Sequence, residues 1–161
     1  MKPKKQSKIQ KALSGISLVR ERFLFQSLGE SLADRLYHYF HGTVDFDYVE
    51  EGEGAFVECS LPCLFASLCL AVQSARTDLV HIRMYARGDT AEIVIKTKDG
   101  VTLPRQQMYE YASLGGMMFE PKEDGVALHL PLKREATLHL FTNREGILSQ
   151  LDRLFQLFDI L

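Results

Sequence analysis

Residues 61–75, LPCLFASLCLAVQSA, are apolar on almost every side of a helix. Leu64, Leu68, Ala71 and Ala75 make one face, and Phe65, Leu70 and Val72 widen it. A helix with a polar face can lie on a surface, whereas one without it has to be enclosed. This segment is therefore expected to be the buried central helix of the chain. Ser60 stands where an N-cap is favoured, and Pro62 falls in the first turn, where its missing N–H costs nothing. The apolar run from Leu61 to Val72 is shorter than the ~20 residues that a membrane span needs.

Alternating segments flank it. In residues 43–49, Val44, Phe46 and Tyr48 share one face and Asp45 and Asp47 the other. Residues 51–54, Glu-Gly-Glu-Gly, form a turn, and 55–59 return as a second strand, so a hairpin is predicted here. A second hairpin is predicted from 79–86 and 91–97, joined by Arg87-Gly-Asp. Lys98-Asp-Gly100 ends that strand, and Leu103–Leu114 reads as a short helix after Pro104. Strands at 117–120, 126–131 and 137–141 follow.

Both ends carry periodic stripes. Over residues 16–41, Leu18, Phe25, Leu32 and Tyr39 recur every seven residues, and Leu28 and Leu36 broaden the stripe. Gly29 interrupts it at a cost of about 1 kcal/mol relative to alanine, and Gly42 stands at the expected stop. At the other end, Asn143 can cap a helix over 144–161, where Ile147, Leu151, Leu154, Phe158 and Leu161 alternate steps of four and three. Such stripes either pack on the chain's own core or pair with a second copy. Taken as interaction residues, Leu18, Phe25, Leu32, Tyr39, Ile147, Leu151, Leu154 and Phe158 would carry that contact. The chain divides accordingly into a basic tail and helical arm (1–42), a central domain (43–141) and an amphipathic helix (142–161). The predicted fold class is α+β: a two-layer sandwich of one mixed, mostly antiparallel sheet with helices on one face, plus the two terminal amphipathic helices.

With 161 residues and a formal charge of −2, nothing global points to nucleic acid or to an anionic membrane. Lys2, Lys4, Lys5, Lys8 and Lys11 form the one basic cluster and read as a solvated, partly frayed terminus. The polar start lacks a secretory pattern, so a cytoplasmic location is expected. Cys59, Cys63 and Cys69 sit in apolar sequence and are expected as reduced core thiols, with no fourth ligand for zinc. Asp45 and Asp47 read as the solvent side of an edge strand rather than as metal ligands. His38 and His41, near the end of a helix, suit its dipole, and His129 and His139 lie in alternating strands. No Gly-x-Ser-x-Gly elbow occurs.

From Thr43 to Leu132 the order of elements resembles the ATP-binding domain of sensor histidine kinases, the Bergerat or GHKL fold. That family carries an asparagine box, Leu-x-x-x-Leu-x-Asn-Leu-Leu-x-Asn-Ala, on its central helix. Leu64-Phe-Ala-Ser-Leu68-Cys-Leu-Ala-Val-Gln-Ser74-Ala75 stands in register with it. The family's Asp-x-Gly-x-Gly-Ile-Pro turn is matched by Lys98-Asp99-Gly100-Val101-Thr102-Leu103-Pro104. Its closing helix, Gly-Gly, strand, turn and strand ending in Leu-Pro look like Leu114-Gly-Gly116, 117–120, Gly125 and 126–131.

The departures from the family matter most for function. The resemblance implies a box asparagine holding magnesium, yet Ser74 occupies that position and Leu70 the earlier one. A leucine offers no oxygen, and a neutral hydroxyl is a poor hard-cation ligand. The aspartate that would accept from adenine is replaced by Lys98, which only donates, unless a one-residue shift brings in Asp99. Gly100 is retained, but the second glycine of the turn is Thr102. The ATP lid with its phosphate-wrapping glycine loop should lie between Pro104 and Gly115. The ten residues there, 105–114, are needed for the helix, leaving no glycine-rich nest for phosphate.

Phosphoryl transfer depends on positioning and charge neutralisation. The sequence therefore predicts no kinase or ATPase activity, no cofactor and no nucleotide ligand. It predicts a non-catalytic regulatory or scaffold role in bacterial-type signalling, through a protein partner or self-association. Two alternatives stand beside it: a histidine phosphotransferase using His38 or His41, and a compact ATP-binding domain with Asp99 as the adenine partner.

Overall fold

In β4 (Val80–Arg87) and β5 (Thr90–Thr97) every second residue is buried. Val80, Ile82, Met84 and Ala86 line one face with Ala91, Ile93, Ile95 and Thr97. His81, Arg83, Arg87 and Lys96 are exposed on the other. This alternation orients the whole molecule, because one sheet face is covered by helices and the other meets water. The computed structural model describes residues 8–52, 54–75, 79–97, 103–134 and 141–160.

The remaining elements are α1 (Lys8–Ser14), β1 (Glu21–Leu24), α2 (Phe25–Tyr39), β2 (Val44–Glu50), β3 (Phe56–Cys59), α3 (Leu61–Ala75), α4 (Arg105–Leu114), β6 (Met118–Lys122), β7 (Gly125–Lys133) and α5 (Arg144–Phe158). The seven strands form one sheet in the order β1-β3-β7-β5-β4-β2, with β6 also on β7. The β2–β4 pairing is parallel and the others are antiparallel. β7 forks: residues 125–129 pair with β6 on the edge away from β5, and Leu132 and Lys133 pair with β3. The α+β sandwich with a mixed, mostly antiparallel sheet is thus the observed architecture.

α3 is buried at every residue from Leu61 to Val72, as its composition requires. The hairpin β4–β5, the helix α4, the β6–β7 pair and α5 also stand where their patterns predict. Asn143 Oδ1 accepts from the Gly146 N–H at 2.8 Å and caps α5. The three cysteines are free and buried, and burial pushes the Cys59, Cys63 and Cys69 thiols up.

Four expectations are corrected. The helix predicted over 16–41 begins at Phe25, because residues 21–24 form β1. There Phe23 is fully buried and the backbone pairs with β3, a better use of an inward phenylalanine than a further helical turn. Leu18 therefore lies before β1 and outside the helix that holds Phe25, Leu32 and Tyr39. The hairpin predicted from 43–49 and 55–59 does not form. β2 is an edge strand on β4, whereas β3, buried at Phe56, Val57 and Cys59, takes an interior place between β1 and β7. Lys8 and Lys11 lie in α1 rather than in a frayed tail, because Ile9 and Leu13 are buried. Ser60 does not cap α3: its hydroxyl is buried and makes no bond to a first-turn amide. Residues 137–140 of the predicted last strand, His139 and Leu161 lie outside the described residues.

Residues from both sides of positions 42 and 142 share one hydrophobic cluster. It includes Leu13 of α1, Leu32 of α2, Leu68 of α3, Ile93 of β5 and Leu151 of α5. Gly29 has a reason in this packing. A Cβ there would lie 2.7 Å from Tyr48 Cγ and 2.9 Å from Cδ2, so the bare backbone lets α2 settle on β2. Gly29→Ala gains about 1 kcal/mol of helix propensity but incurs an overpacking cost of about 1–3 kcal/mol. Net destabilisation is expected in urea. In a Tyr48→Ala background the sign reverses and Gly29→Ala stabilises. A stabilising effect in both backgrounds would contradict the contact.

Candidate functional site

Of the positions singled out by the kinase-like motifs, Leu70 and Ser74 fall on α3. Leu70 is only 6% exposed and Ser74 is half-buried near the helix end. Lys98, Asp99, Gly100 and Thr102 lie outside the described residues. α3 is packed against the sheet on one side and against α1, α4 and α5 on others. The Phe65 ring stacks 6.0 Å from Phe158 of α5 and lies 6.4 Å from Tyr39 of α2.

α4 takes up the whole interval between Pro104 and Gly115. Met108, Tyr111 and Ala112 are its buried side, and Leu103 just before it is buried too. Gly115 ends it, with the Gly115 N–H donating to the Tyr111 and Ala112 carbonyls. An added Cβ on Gly115 would be 2.6 Å from Cys63 Cβ, so only glycine lets the end of α4 reach the start of α3. The Ser60 N–H donates to the Gly115 carbonyl at 3.2 Å across that contact. Gly116, at φ +78°, turns the chain into β6. The glycine pair is thus a helix stop and strand start.

The residues read as an interaction seam are used inside the chain. Phe25, Leu32, Ile147, Leu151 and Phe158 are fully buried, Leu154 nearly so, and Leu18 and Tyr39 are half-buried against the same cluster. Within the chain, α2 lies on α5 and this seam joins the core cluster. A polar clasp accompanies it. Arg35 Nε and Nη2 donate to Asp152 Oδ1 and Oδ2 at 2.8 and 3.1 Å, and the Tyr39 hydroxyl donates to Oδ1. The Tyr39 ring stacks on Phe155 at 3.7 Å. Burial and the bond to Asp152 raise the Tyr39 hydroxyl well above the usual phenol range. Burial pushes the Asp152 carboxyl up, but the bonds from Tyr39 and Arg35 outweigh it and hold it low.

His38 and His41 are both exposed, with rings 6.2 Å apart. His129 is half-buried, 3.4 Å from Glu120.

The water-facing side of the sheet carries a ladder of paired polar side chains that sequence reading missed. Asp45 pairs with His81 at 3.2 Å, Asp47 with Arg83 at 2.9 Å, and Arg87 with Glu51 at 3.5 Å. Lys122 lies 3.8 Å from Glu92 and 3.6 Å from Glu120. The Tyr85 ring sits between Arg83 and Arg87, at 5.4 and 5.0 Å. The signal was present in the alternation of both segments, but it needs the parallel β2–β4 register, which no local pattern announces. Asp45 and Asp47 thus do line the solvent side of an edge strand. Among the described residues, no group of three or more His, Cys, Asp or Glu could hold a metal ion, and no helix is long and apolar enough to cross a membrane.

No protein-family model and no curated protein matches the sequence. Among solved structures, the chain is similar to the cytoplasmic segment of the histidine kinase QseC, with 12% identity and a TM-score of 0.45 over 81% of this chain and 97% of that one. It is similar to a nucleotide-free catalytic domain of the histidine kinase ThkA, with 14% identity and a TM-score of 0.46 over 71% and 97%. It is also similar to the ATP-binding domain of PrrB from Mycobacterium tuberculosis, with 17% identity and a TM-score of 0.41 over 70% and 96%. The first two of these are named as histidine kinases and the third as an ATP-binding domain. The fold itself rests on the topology and register described above.

Proposed function

We propose that this chain is a histidine-kinase-like domain that has given up nucleotide chemistry and acts as a regulatory or scaffold protein in bacterial-type signalling. Its activity is to bind a protein partner, without ATP hydrolysis, magnesium or nucleotide. The observation that carries the reading is α4: residues 105–114 form one helix packed on α3, in the interval where the kinase resemblance expects a lid. Burial of Leu70 and the serine at position 74 support it, because neither supplies the amide oxygen that the resemblance assigns to magnesium. The buried seams of α2 and α5 leave the partner contact to exposed surface. Self-association, if it occurs, uses residues other than Phe25, Leu32, Ile147, Leu151 and Phe158.

The test is calorimetric titration of the full chain with Mg-ATP, with thermal unfolding beside it. A ligand at a hundredfold its Kd stabilises a folded chain by about 2.7 kcal/mol. The expected result is no binding heat and no rise in Tm. Micromolar binding that is lost in Asp99→Ala would overturn the reading in favour of a compact nucleotide-binding domain.

A further inference from the structure

Among the described residues the sheet has three edge strands, β1, β2 and β6, and each is guarded in a different way. β6 contains Pro121, which has no N–H to offer an added strand. β1 is only four residues long, and its Arg22 carbonyl accepts from the Thr142 N–H at 3.1 Å. β2 is seven residues long and has no proline, so it is the edge most open to a further strand.

The register fixes which of its groups are free. The Thr43 carbonyl accepts from the Val80 N–H, and the Glu51 N–H donates to the Ala86 carbonyl, both at 2.9 Å. Odd-numbered residues of β2 therefore turn their backbone groups toward β4, and even-numbered ones turn theirs outward. Phe46, in the middle, faces outward. The Tyr37 hydroxyl, reaching over from the last turns of α2, donates to the Phe46 carbonyl and accepts from the Phe46 N–H, both at 3.1 Å. One phenol thus occupies both groups that an incoming strand would use at the centre of the edge. The Tyr37 side chain is not held there by burial, since the residue is 44% exposed.

We propose that Tyr37 closes the β2 edge and keeps the sheet from extending into the β2 of a second copy. The proposal is independent of the nucleotide question.

The test is Tyr37→Phe in the full chain, which keeps the ring and removes only the hydroxyl. Hydrogen exchange by NMR is expected to be about tenfold faster at the Phe46 amide, with the Ile82 and Ile93 amides unchanged as the check on global folding. Sedimentation in about 1 M salt, where screening lengths fall to about 3 Å, is expected to show association beyond the wild type that grows with concentration. Unchanged exchange at Phe46, or no association beyond the wild type, overturns the proposal.

Discussion

Replacing Gly125 by alanine is expected to cost about 3 kcal/mol or more, at the upper end of overpacking effects. A Cβ at this position would lie 2.0 Å from the Ile95 carbonyl oxygen, 3.0 Å from its carbon and 3.1 Å from Lys96 Cα. These are backbone atoms of β5, so no side-chain rotation relieves the clash. Gly125 opposes Lys96 on one side and Lys122 on the other, where β7 joins the two strands beside it. The strands have to part or the β6–β7 turn has to shift. For a chain of this size, the loss corresponds to a fall in Tm of roughly 6–12 °C. Gly15→Ala is the control, because its Cβ would meet only ordinary contacts at 3.7 and 3.9 Å. Urea unfolding measures both. A loss below about 1 kcal/mol in Gly125→Ala would contradict the close approach.

Phe158→Ala is expected to cost about 3–5 kcal/mol, the usual range for an enclosed phenylalanine. Phe158 is fully buried near the end of α5 and stacks on Phe65 of α3. Because this seam is intramolecular, the loss should be the same at every protein concentration. A seam between copies would instead make the unfolding midpoint of the wild type rise with concentration and that of the variant less so. Chemical denaturation across a hundredfold range of concentration separates the two cases.

The legible parts of this fold were those written in local pattern. The enclosure of α3 follows from a run without polar residues, and the cap of α5 follows from Asn143 at a helix start. β4 and β5 alternate and are joined by a short glycine turn, so their pairing was also local. The illegible parts depend on distant partners. β2 and β3 look like a hairpin because they alternate across a glycine turn, yet their burial sends one to an edge and the other to the interior. β1 was hidden because Leu18 extends the sevenfold spacing of Phe25, Leu32 and Tyr39 backward, although no helix lies beneath that step. The stripes of α2 and α5 announced that something would cover them and were silent on what. In the nucleotide-like region, Leu70 and Ser74 were found on α3 as the motif placed them. The matching turn at 98–102 lies outside the described residues, and the packing of α4 on α3 depends on Gly115 meeting Cys63, a contact no spacing reveals.

The strand order has a bearing on how the chain is made. β1, β2 and β3 come before the other strands in the sequence, but β1 and β3 lie together at one end of the sheet and β2 at the other. β1 and β3 can meet at once, whereas β2 must wait for β4, and β3 gains its second neighbour only when the end of β7 has been made. A ribosome that has released the chain through α3 has thus delivered the most apolar helix before most of the sheet that shelters it. The nascent chain carries that helix exposed until β7 arrives, so the assembly of the sheet waits on β7 rather than growing strand by strand.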